Sequence, residues 1–243
     1  MFIDNHVHIG WFSDGYHSPR EVWTALQSAG IECAAVSSIS TCAELYHNIV
    51  TEFCQLISLV GKDRIKPILW LSPQMIIKKW PLKFVLRSKI EWRGIKLHFI
   101  SHPAFYRNRN LVKYSLEIAR MLGHLPVLLH TGKWESCHAR VFESVIKENP
   151  DLTFVLAHGR PIDETLSLMK QYPNTWTDTA FMPIEDLKKL KEEGLTGRTM
   201  YGSDAPINKV YYPDLATEAY LKARIEEVKG IAPEILSNCV YDK

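Results

Sequence analysis

The sequence has no long hydrophobic run and no excess of one charge, and each absence excludes a class of protein. No apolar stretch approaches the ~20 residues of a membrane-spanning helix, and no export signal opens the chain. Lysine and arginine number 29 against 27 aspartates and glutamates, and no basic run indicates nucleic acid or an anionic membrane as a partner. We therefore expect a cytoplasmic protein that acts on a small molecule. Whether it forms a homo-oligomer is left open.

Paired cysteines are also absent. The chain has five cysteines, an odd number, at irregular spacings and without any C-x-x-C pair. This pattern argues against a disulfide framework and against a zinc site built from thiolates. A reducing compartment fits it best.

A glycine-rich phosphate-binding turn is missing as well, since the first turn reads "HIGWFSDG". An open doubly wound sheet normally carries G-x-G-x-x-G there. The sequence does contain apolar, β-branched runs that alternate with helical segments, with no linker between them. Eight runs in 243 residues average about 30 residues per unit, the size of a βαβ module. We predict one domain, residues 1–243, an α/β protein of the (β/α)8 TIM-barrel class with some distortion; the strand runs are 2–8, 33–37, 67–72, 94–98, 126–130, 153–158, 175–179 and 199–204.

Two helix starts carry capping signals. "SPRE" (18–21) has a serine N-cap, a proline at the first helical position and a glutamate three residues after the cap. "TCAE" (41–44) has the same capping-box spacing. Both stretches predict that a helix begins there.

Ligand-type side chains collect at the ends of five strand runs, which read "NHVH", "GIKLH", "VLLH", "VLAH" and "YGSD". The carboxyl ends of parallel barrel strands meet on one face, where active sites are built. His6 and His8 also share one face of the first strand, because strand side chains alternate. Imidazole and carboxylate ligands suit Zn, Mn, Fe or Ni. The sequence therefore predicts a catalytic metal site, with zinc expected first; the strand-end residues are His8, His98, His130, His158 and Asp204.

These motifs resemble the metal-site pattern of the amidohydrolase superfamily, and "RGIKLH", "PVLLHTG", "FVLAHGR" and "MYGSDAP" resemble its amidohydrolase-related branch. The resemblance implies that His6, His8 and Asp204 bind a metal, and that His130 and His158 complete this site or form part of a second. It also implies that Asp204 is the general base and that His158 is catalytic. The expected reaction is attack of a metal-activated water on an amide, lactone or ester carbonyl.

The opening stretch, with H-x-H and "SDG", is also similar to polymerase and histidinol phosphatase domains, which hydrolyse phosphate esters. That family ends its second strand in Asp-His, whereas "CAAVSSIST" supplies none of these residues. Decarboxylases of the branch often carry a glutamate on the first strand, where this chain has Asp4 and Asn5. Phosphoesterase, metal-dependent decarboxylase and a metal-free ligand-binding barrel remain the alternatives.

Three further residues are candidates for substrate binding. Lys96 and His98 alternate with apolar residues, so both should face the barrel interior. Lys96 is expected to be a cation beside one metal ion rather than a carboxylated bridge between two. Arg160 has the geometry to bind a carboxylate or phosphate. Loop residues are candidates to line the pocket, although cysteine and tryptophan more often simply pack; they are Trp11, His17, Lys133, Trp134 and Cys137.

Overall fold

A computed structural model describes residues 1–242 and contains all eight predicted strands. Seven of them pair in parallel with the next strand along the chain, in the order of a barrel wall. The strands are β1 (Ile3–Phe12), β2 (Gly15–His17), β3 (Cys33–Ser38), β4 (Ile65–Trp70), β5 (Gly94–Leu97), β6 (Val127–His130), β7 (Phe154–Ala157), β8 (Thr175–Asp178) and β9 (Thr199–Met200).

The ring closes between β1 and the segment that follows β9. The Asn5 amide donates to the Tyr201 carbonyl at 2.8 Å, and the His8 amide donates to the Ala205 carbonyl at 2.7 Å. In return, the Asp204 amide donates to the His6 carbonyl at 2.8 Å. The molecule is therefore a (β/α)8 barrel, distorted where the two-residue β9 continues as irregular backbone.

One strand was not predicted. β1 runs on to Phe12 and turns back through Ser13 and Asp14 into β2, which begins at Gly15 and pairs with β1 in antiparallel register. The sequence interpretation passed over this turn, although aspartate followed by glycine is typical of hairpins. Gly10 permits this course because its φ is +102°, a conformation that side chains with a Cβ rarely adopt.

The helices surround the barrel, and the first begins as predicted: the Ser18 hydroxyl accepts a hydrogen bond from the Glu21 amide, with Pro19 at the first helical position. The prediction from "TCAE" is wrong, because the next helix begins at Tyr46. The helices are α1 (Pro19–Ser28), α2 (Tyr46–Val60), α3 (Pro73–Lys78), α4 (Trp80–Leu86), α5 (Ala104–Arg107), α6 (Arg109–Met121), α7 (Glu143–Glu148), α8 (Ile162–Gln171), α9 (Ile184–Glu192), α10 (Asn208–Tyr211) and α11 (Thr217–Ile231). Across residues 1–242, none of them has the length and apolar character to cross a membrane.

The strands divide their side chains between two apolar layers. Outward-facing residues such as Leu97, Leu129 and Leu156 pack against the helices. Inward-facing residues form a smaller cluster inside the barrel, closed from below by Tyr241. The inner cluster comprises Ala35, Ile68, Leu128, Val155, Ala157, Met200, Val240 and Tyr241. Above this cluster, at the carboxyl ends of the strands, the interior becomes polar.

Candidate metal centre

Polar side chains from β1, from β5 and from the segment after β9 meet at the carboxyl end of the barrel. Asp204 Oδ1 lies 3.3 Å from His6 Nε2 and 2.9 Å from His8 Nε2. Lys96 Nζ lies 2.9 Å from His6 Nε2 and 3.1 Å from His8 Nε2. All four residues are buried. The predicted inward orientation of Lys96 is therefore present, and its ammonium group contacts two imidazoles.

Three histidines use their Nδ1 atoms for contacts with the surrounding scaffold. His6 Nδ1 lies 3.0 Å from Asp178 Oδ2, and His8 Nδ1 lies 2.8 Å from the Ser37 hydroxyl. The His158 Nδ1 lies 3.0 Å from the Ala180 carbonyl, which can only accept a hydrogen bond. The contacts of His6 and His158 place an acceptor at Nδ1 and favour a proton there, whereas the Ser37 hydroxyl can donate to His8 Nδ1 or accept from it. A proton on Nδ1 leaves the Nε2 atom with a lone pair, the form in which imidazole binds a metal.

The predicted ligand His130 lies next to this group. Its Nδ1 is 3.2 Å from His158 Nε2, and its ring stacks on that of His98 at a centroid distance of 3.8 Å. His98 in turn stacks on Trp70 at 5.3 Å, and its Nδ1 accepts a hydrogen bond from the Ser101 amide. His98, which follows the fourth barrel strand, is thus separated from His6, His8 and Asp204 by an aromatic ring, that of Trp70 or His130.

Burial favours the neutral form of four histidines, which are His8, His98, His130 and His158. Removal from water lowers the pKa of His8 to about 3, with the nearby Lys96 charge contributing, and lowers that of His158 to about 4. It also lowers the pKa values of His98 and His130 well below the usual range. Neutral imidazoles can bind a metal, so the electrostatic environment matches the tautomers inferred from the hydrogen bonds.

The charged groups of the centre respond differently. Burial lowers the pKa of Lys96 to about 8, although Asp204 and Asp178 oppose this shift. Burial opposes ionisation of Asp204, but its contacts with His6 and His8 outweigh this effect, so the pKa of this carboxyl falls below its usual range. The carboxylate is therefore available both as a metal ligand and as a proton acceptor.

The donor set fits a divalent transition metal. The ligand atoms of His6, His8 and Asp204 all lie within 4.8 Å of one another, as do those of His6, His158 and Asp178. In the first group two of the donors, His6 Nε2 and His8 Nε2, lie within hydrogen-bonding distance of the Lys96 ammonium. In the second group Asp178 accepts hydrogen bonds at both oxygens, which makes it a poorer ligand.

Asp178, Ser37 and Trp70 are parts of this centre that the sequence interpretation missed. Asp178 Oδ1 accepts hydrogen bonds from the His158 and Ala180 amides, each at 3.0 Å, while Oδ2 contacts His6. The Lys96 ammonium lies 4.4 Å from the centre of the Trp70 ring. A signal for Asp178 was present, because this carboxylate is the second-last residue of the predicted strand run 175–179 and the last residue of β8.

A cavity of about 600 Å³, hereafter the main cavity, opens above the centre. The predicted residues Lys133, Trp134 and Arg160 line it, and Arg160 Nη2 also donates to the Phe181 carbonyl. Lys96 and His98, predicted to contact substrate, are not among its lining residues within 1–242, and neither are the loop candidates Trp11, His17 and Cys137. The lining comprises Ile100, His130, Thr131, Gly132, Lys133, Trp134, His158, Arg160, Phe181, Met182, Pro183, Asp204, Tyr211, Tyr212, Tyr220 and Arg224.

Comparison with known proteins bears on both the family and the fold. The family model described as Amidohydrolase matches residues 87–229. No curated protein sequence matches the chain.

Several solved structures share the architecture. The chain is similar to a probable 2-pyrone-4,6-dicarboxylic acid hydrolase from Acinetobacter baumannii with citric acid bound, with a TM-score of 0.66 at 15% identity over 97% of this chain and 96% of that chain. A lactonase from Listeria monocytogenes gives a TM-score of 0.59 at 13% identity, with 96% and 88% covered. For 4-oxalomesaconate hydratase from Rhodopseudomonas palustris the values are 0.56 and 14%, with 97% and 96% covered. At these identities the likeness concerns the fold.

Proposed function

The chain belongs to the amidohydrolase family, and from this premise we propose that it is a metal-dependent hydrolase of a small molecule with a carbonyl centre. The bond that it cleaves is an amide, lactone or ester. The proposed ligands are His6, His8 and Asp204, with His130 and His158 beside them. Zinc is the first candidate ion, and Mn, Fe and Ni are the alternatives.

One observation carries this proposal. Three histidines are held by contacts at their Nδ1 atoms so that their Nε2 atoms face the carboxylate of Asp204. Histidines that served only as packing would not need this common orientation. Imidazoles oriented through Nδ1 are the usual arrangement of metal-binding histidines.

The residues of the chain divide the remaining tasks. Asp204 Oδ1 faces His6 and His8, whereas Oδ2 lies toward His158 Nε2 at 4.0 Å and the residue lines the main cavity. We assign Oδ2 as the acceptor of the proton of the attacking water. His158, which also lines the cavity, is positioned to share that proton through its Nε2 atom. When bound, the ion supplies hydroxide at neutral pH by lowering the pKa of a water to about 7.

Substrate recognition is assigned to the cations of the site. Arg160 lines the main cavity and offers a planar group suited to a carboxylate or phosphate. Lys96 and His98 lie deeper, so their proposed contribution is electrostatic, through the ligands and the His98–His130 stack.

One ion is proposed rather than two. Lys96 Nζ lies within hydrogen-bonding distance of both His6 and His8, and an ammonium group at this place would oppose the binding of a second cation. Metal analysis after metal-supplemented expression, combined with ¹³C NMR of protein incubated with labelled bicarbonate, tests this. Two ions per chain together with a carbamate signal would refute it.

Hydrolysis at carbon is favoured over phosphoester hydrolysis. The phosphatase-type domains need metal ligands at the end of the second parallel strand, where this chain has Ser37 and Ser38. Ser37 bonds to His8, and Ser38 donates to Glu52, so both hydroxyls have other partners. Metal-loaded protein should therefore turn over members of an amide, lactone and ester panel. Turnover of phosphate esters alone would reverse this order.

The decisive experiment combines metal content with one substitution. We expect at least one equivalent of transition metal in the purified protein, and loss of hydrolysis in Asp204→Asn with an unchanged circular dichroism spectrum. An amide ligates weakly and does not accept the proton. Asp163→Asn, which changes an exposed carboxylate on α8, is the matched control. A chain that holds less than about a tenth of an equivalent of metal would contradict the proposal, since such sites bind tightly.

A further inference from the structure

A second cavity, of about 390 Å³, adjoins the main cavity; we refer to it as the side cavity. Ile100 and Trp134 line both cavities, so these two side chains form the boundary between them. Beyond this boundary the side cavity is lined by Phe99, Pro103 and Tyr106, with Arg107 and Ser136 at its edge. An apolar space therefore continues directly from the candidate metal centre.

The two boundary residues and the neighbouring Tyr106 are unusually exposed for apolar side chains. Trp134 is 59% exposed, Tyr106 54% and Ile100 38%, and they lie along one surface. Adjacent exposed apolar groups of this size mark binding grooves more often than inert surface. The Lys133 ammonium lies 5.3 Å from the Trp134 ring centre, a distance at which a cation attracts the ring face. The indole is thus steadied between the two cavities.

Charge distinguishes the two cavities. Lys133, Arg160 and Arg224 line the main cavity, and Asp204 is the one acidic residue in 1–242 that joins them there. Asp204 is already engaged by His6 and His8. A cavity lined by cations concentrates anions. The side cavity instead combines aromatic and aliphatic surfaces with a single charged residue, Arg107.

From this division we propose that the substrate has two parts, an anionic group in the main cavity and a flat apolar arm that crosses Trp134 into the side cavity. The proposal rests on the proposed function for the reaction, but the arm is bound by residues that take no part in it. Tyr106 and Trp134 hold the arm by stacking and by excluding water. Ile100 supports its edge where it leaves the main cavity.

The experiment measures the affinity of metal-loaded full-length protein for three carboxylates by ligand-observed NMR titration. Benzoate reaches only the main cavity. Biphenyl-3-carboxylate and biphenyl-4-carboxylate each carry a second ring, which projects in a different direction from the carboxylate in the two isomers. We expect one biphenyl isomer to bind at least about tenfold more tightly than benzoate, because burial of the apolar surface of a second ring contributes at least that factor to the affinity. Tyr106→Ala should reduce this ratio to about two and leave benzoate binding unchanged. Tyr114→Ala, which truncates an exposed tyrosine on α6, should change neither value.

Three results would overturn the proposal. The first is equal affinity for all three carboxylates, or binding of none of them. The second is a Tyr106→Ala variant that binds both biphenyl isomers as the unaltered chain does. The third is a dimer that sedimentation shows to dissociate in Tyr106→Ala while the affinity ratio stays constant, since the side cavity would then be an interface between copies.

The same titration on metal-free protein separates this proposal from the proposed function. Phe99, Ile100, Tyr106 and Trp134 are not among the proposed metal ligands, so the affinity ratio should persist without metal. Failure of the proposed function would instead appear as missing metal and missing turnover.

Discussion

Asp178→Asn tests the idea that hydrogen bonds at Nδ1 prepare the histidines for metal binding. Asp178 is fully buried and makes three contacts: Oδ1 accepts from the His158 and Ala180 amides, and Oδ2 contacts His6 Nδ1, each at 3.0 Å. Burial opposes ionisation of Asp178, but its contact with His6 outweighs this effect, and the pKa of this carboxyl is lowered. A carboxylate at this position therefore requires His6 to carry its proton on Nδ1.

An asparagine in the same place has two orientations, and both impair the site. With its oxygen toward the two backbone amides, its NH2 group faces His6 Nδ1, and His6 must carry its proton on Nε2, the metal-binding nitrogen. With the amide reversed, two buried N–H donors lose their acceptor, at about 1–3 kcal/mol each. The first orientation is therefore favoured, and the variant retains its fold while His6 becomes a poor ligand.

The expected loss of metal affinity follows from the role of Asp178 as the hydrogen-bond partner of a metal-binding histidine. Loss of a residue that orients a metal-binding histidine typically lowers metal affinity about 10–100-fold, or roughly 1.4–2.8 kcal/mol. We expect the loss of metal affinity in Asp178→Asn to lie at the upper end of this range, because the substitution reverses the preferred tautomer of His6 rather than only weakening a contact. Competition between metal-free protein and a chromophoric chelator for Zn²⁺ measures the difference.

The control for this experiment is Asp163→Asn, which removes one exposed carboxylate on α8 and should leave the affinity unchanged. Thermal unfolding of the metal-free variants establishes that both are folded. An Asp178→Asn affinity within about threefold of the unaltered chain would refute the tautomer argument, since loss of a residue that orients a metal-binding histidine normally costs more.

Three further predictions concern stability. Gly10→Ala should destabilise the protein by about 2–4 kcal/mol in chemical unfolding, because its φ is +102° and a Cβ would lie 2.5 Å from Ser40 Oγ; Gly15→Ala, with φ +136° and open space around it, should cost less. Burial raises the pKa of Glu52 above its usual value, so its protonated form stabilises the fold at low pH and this contribution is lost as the pH rises through the raised pKa. The unfolding free energy of Glu52→Gln relative to the unaltered chain should therefore increase from pH 4 to pH 7, and a constant difference would contradict this. Ser18→Ala should lower the unfolding free energy by about 1 kcal/mol through loss of its cap, a change that thermal unfolding detects.

The strands could be predicted from the sequence because each is a short apolar run with a polar end. The start of α2 could not, and the reason is a tertiary contact. Thr41 has the sequence position of a helix cap, but its hydroxyl donates to the Trp70 carbonyl on β4 at 3.4 Å. Glu44, the other half of the supposed capping box, adopts a φ of +55° and cannot continue a helix. A bond between distant segments here prevails over a local signal.

The lining of the side cavity and most of the lining of the main cavity could not be predicted from the sequence either. Phe181 follows β8, whereas Tyr211 and Tyr220 lie on α10 and α11 after β9, and no periodic spacing along the chain relates the three. Their rings meet only because Phe181 lies 5.2 Å from Tyr211 and 5.8 Å from Tyr220 in the folded structure. Loop residues lack the regular alternation of side-chain direction that allows the orientation of strand residues to be predicted.

The missed strand residues are a different case, because strand geometry contains the information needed to find them. Side chains two positions apart on a strand face the same way, so the residue two positions after an inward apolar residue belongs to the next layer of the barrel. Ala35, Ile68, Leu128 and Trp176 belong to or pack against the inner apolar cluster. Two positions further lie Ser37, Trp70, His130 and Asp178, all of which surround the candidate metal centre. Only His130 was recognised, because histidine is itself a familiar ligand. The other three support the ligands from the same layer, and we infer that this two-residue step identifies such partners wherever the inner layer of a barrel strand is known.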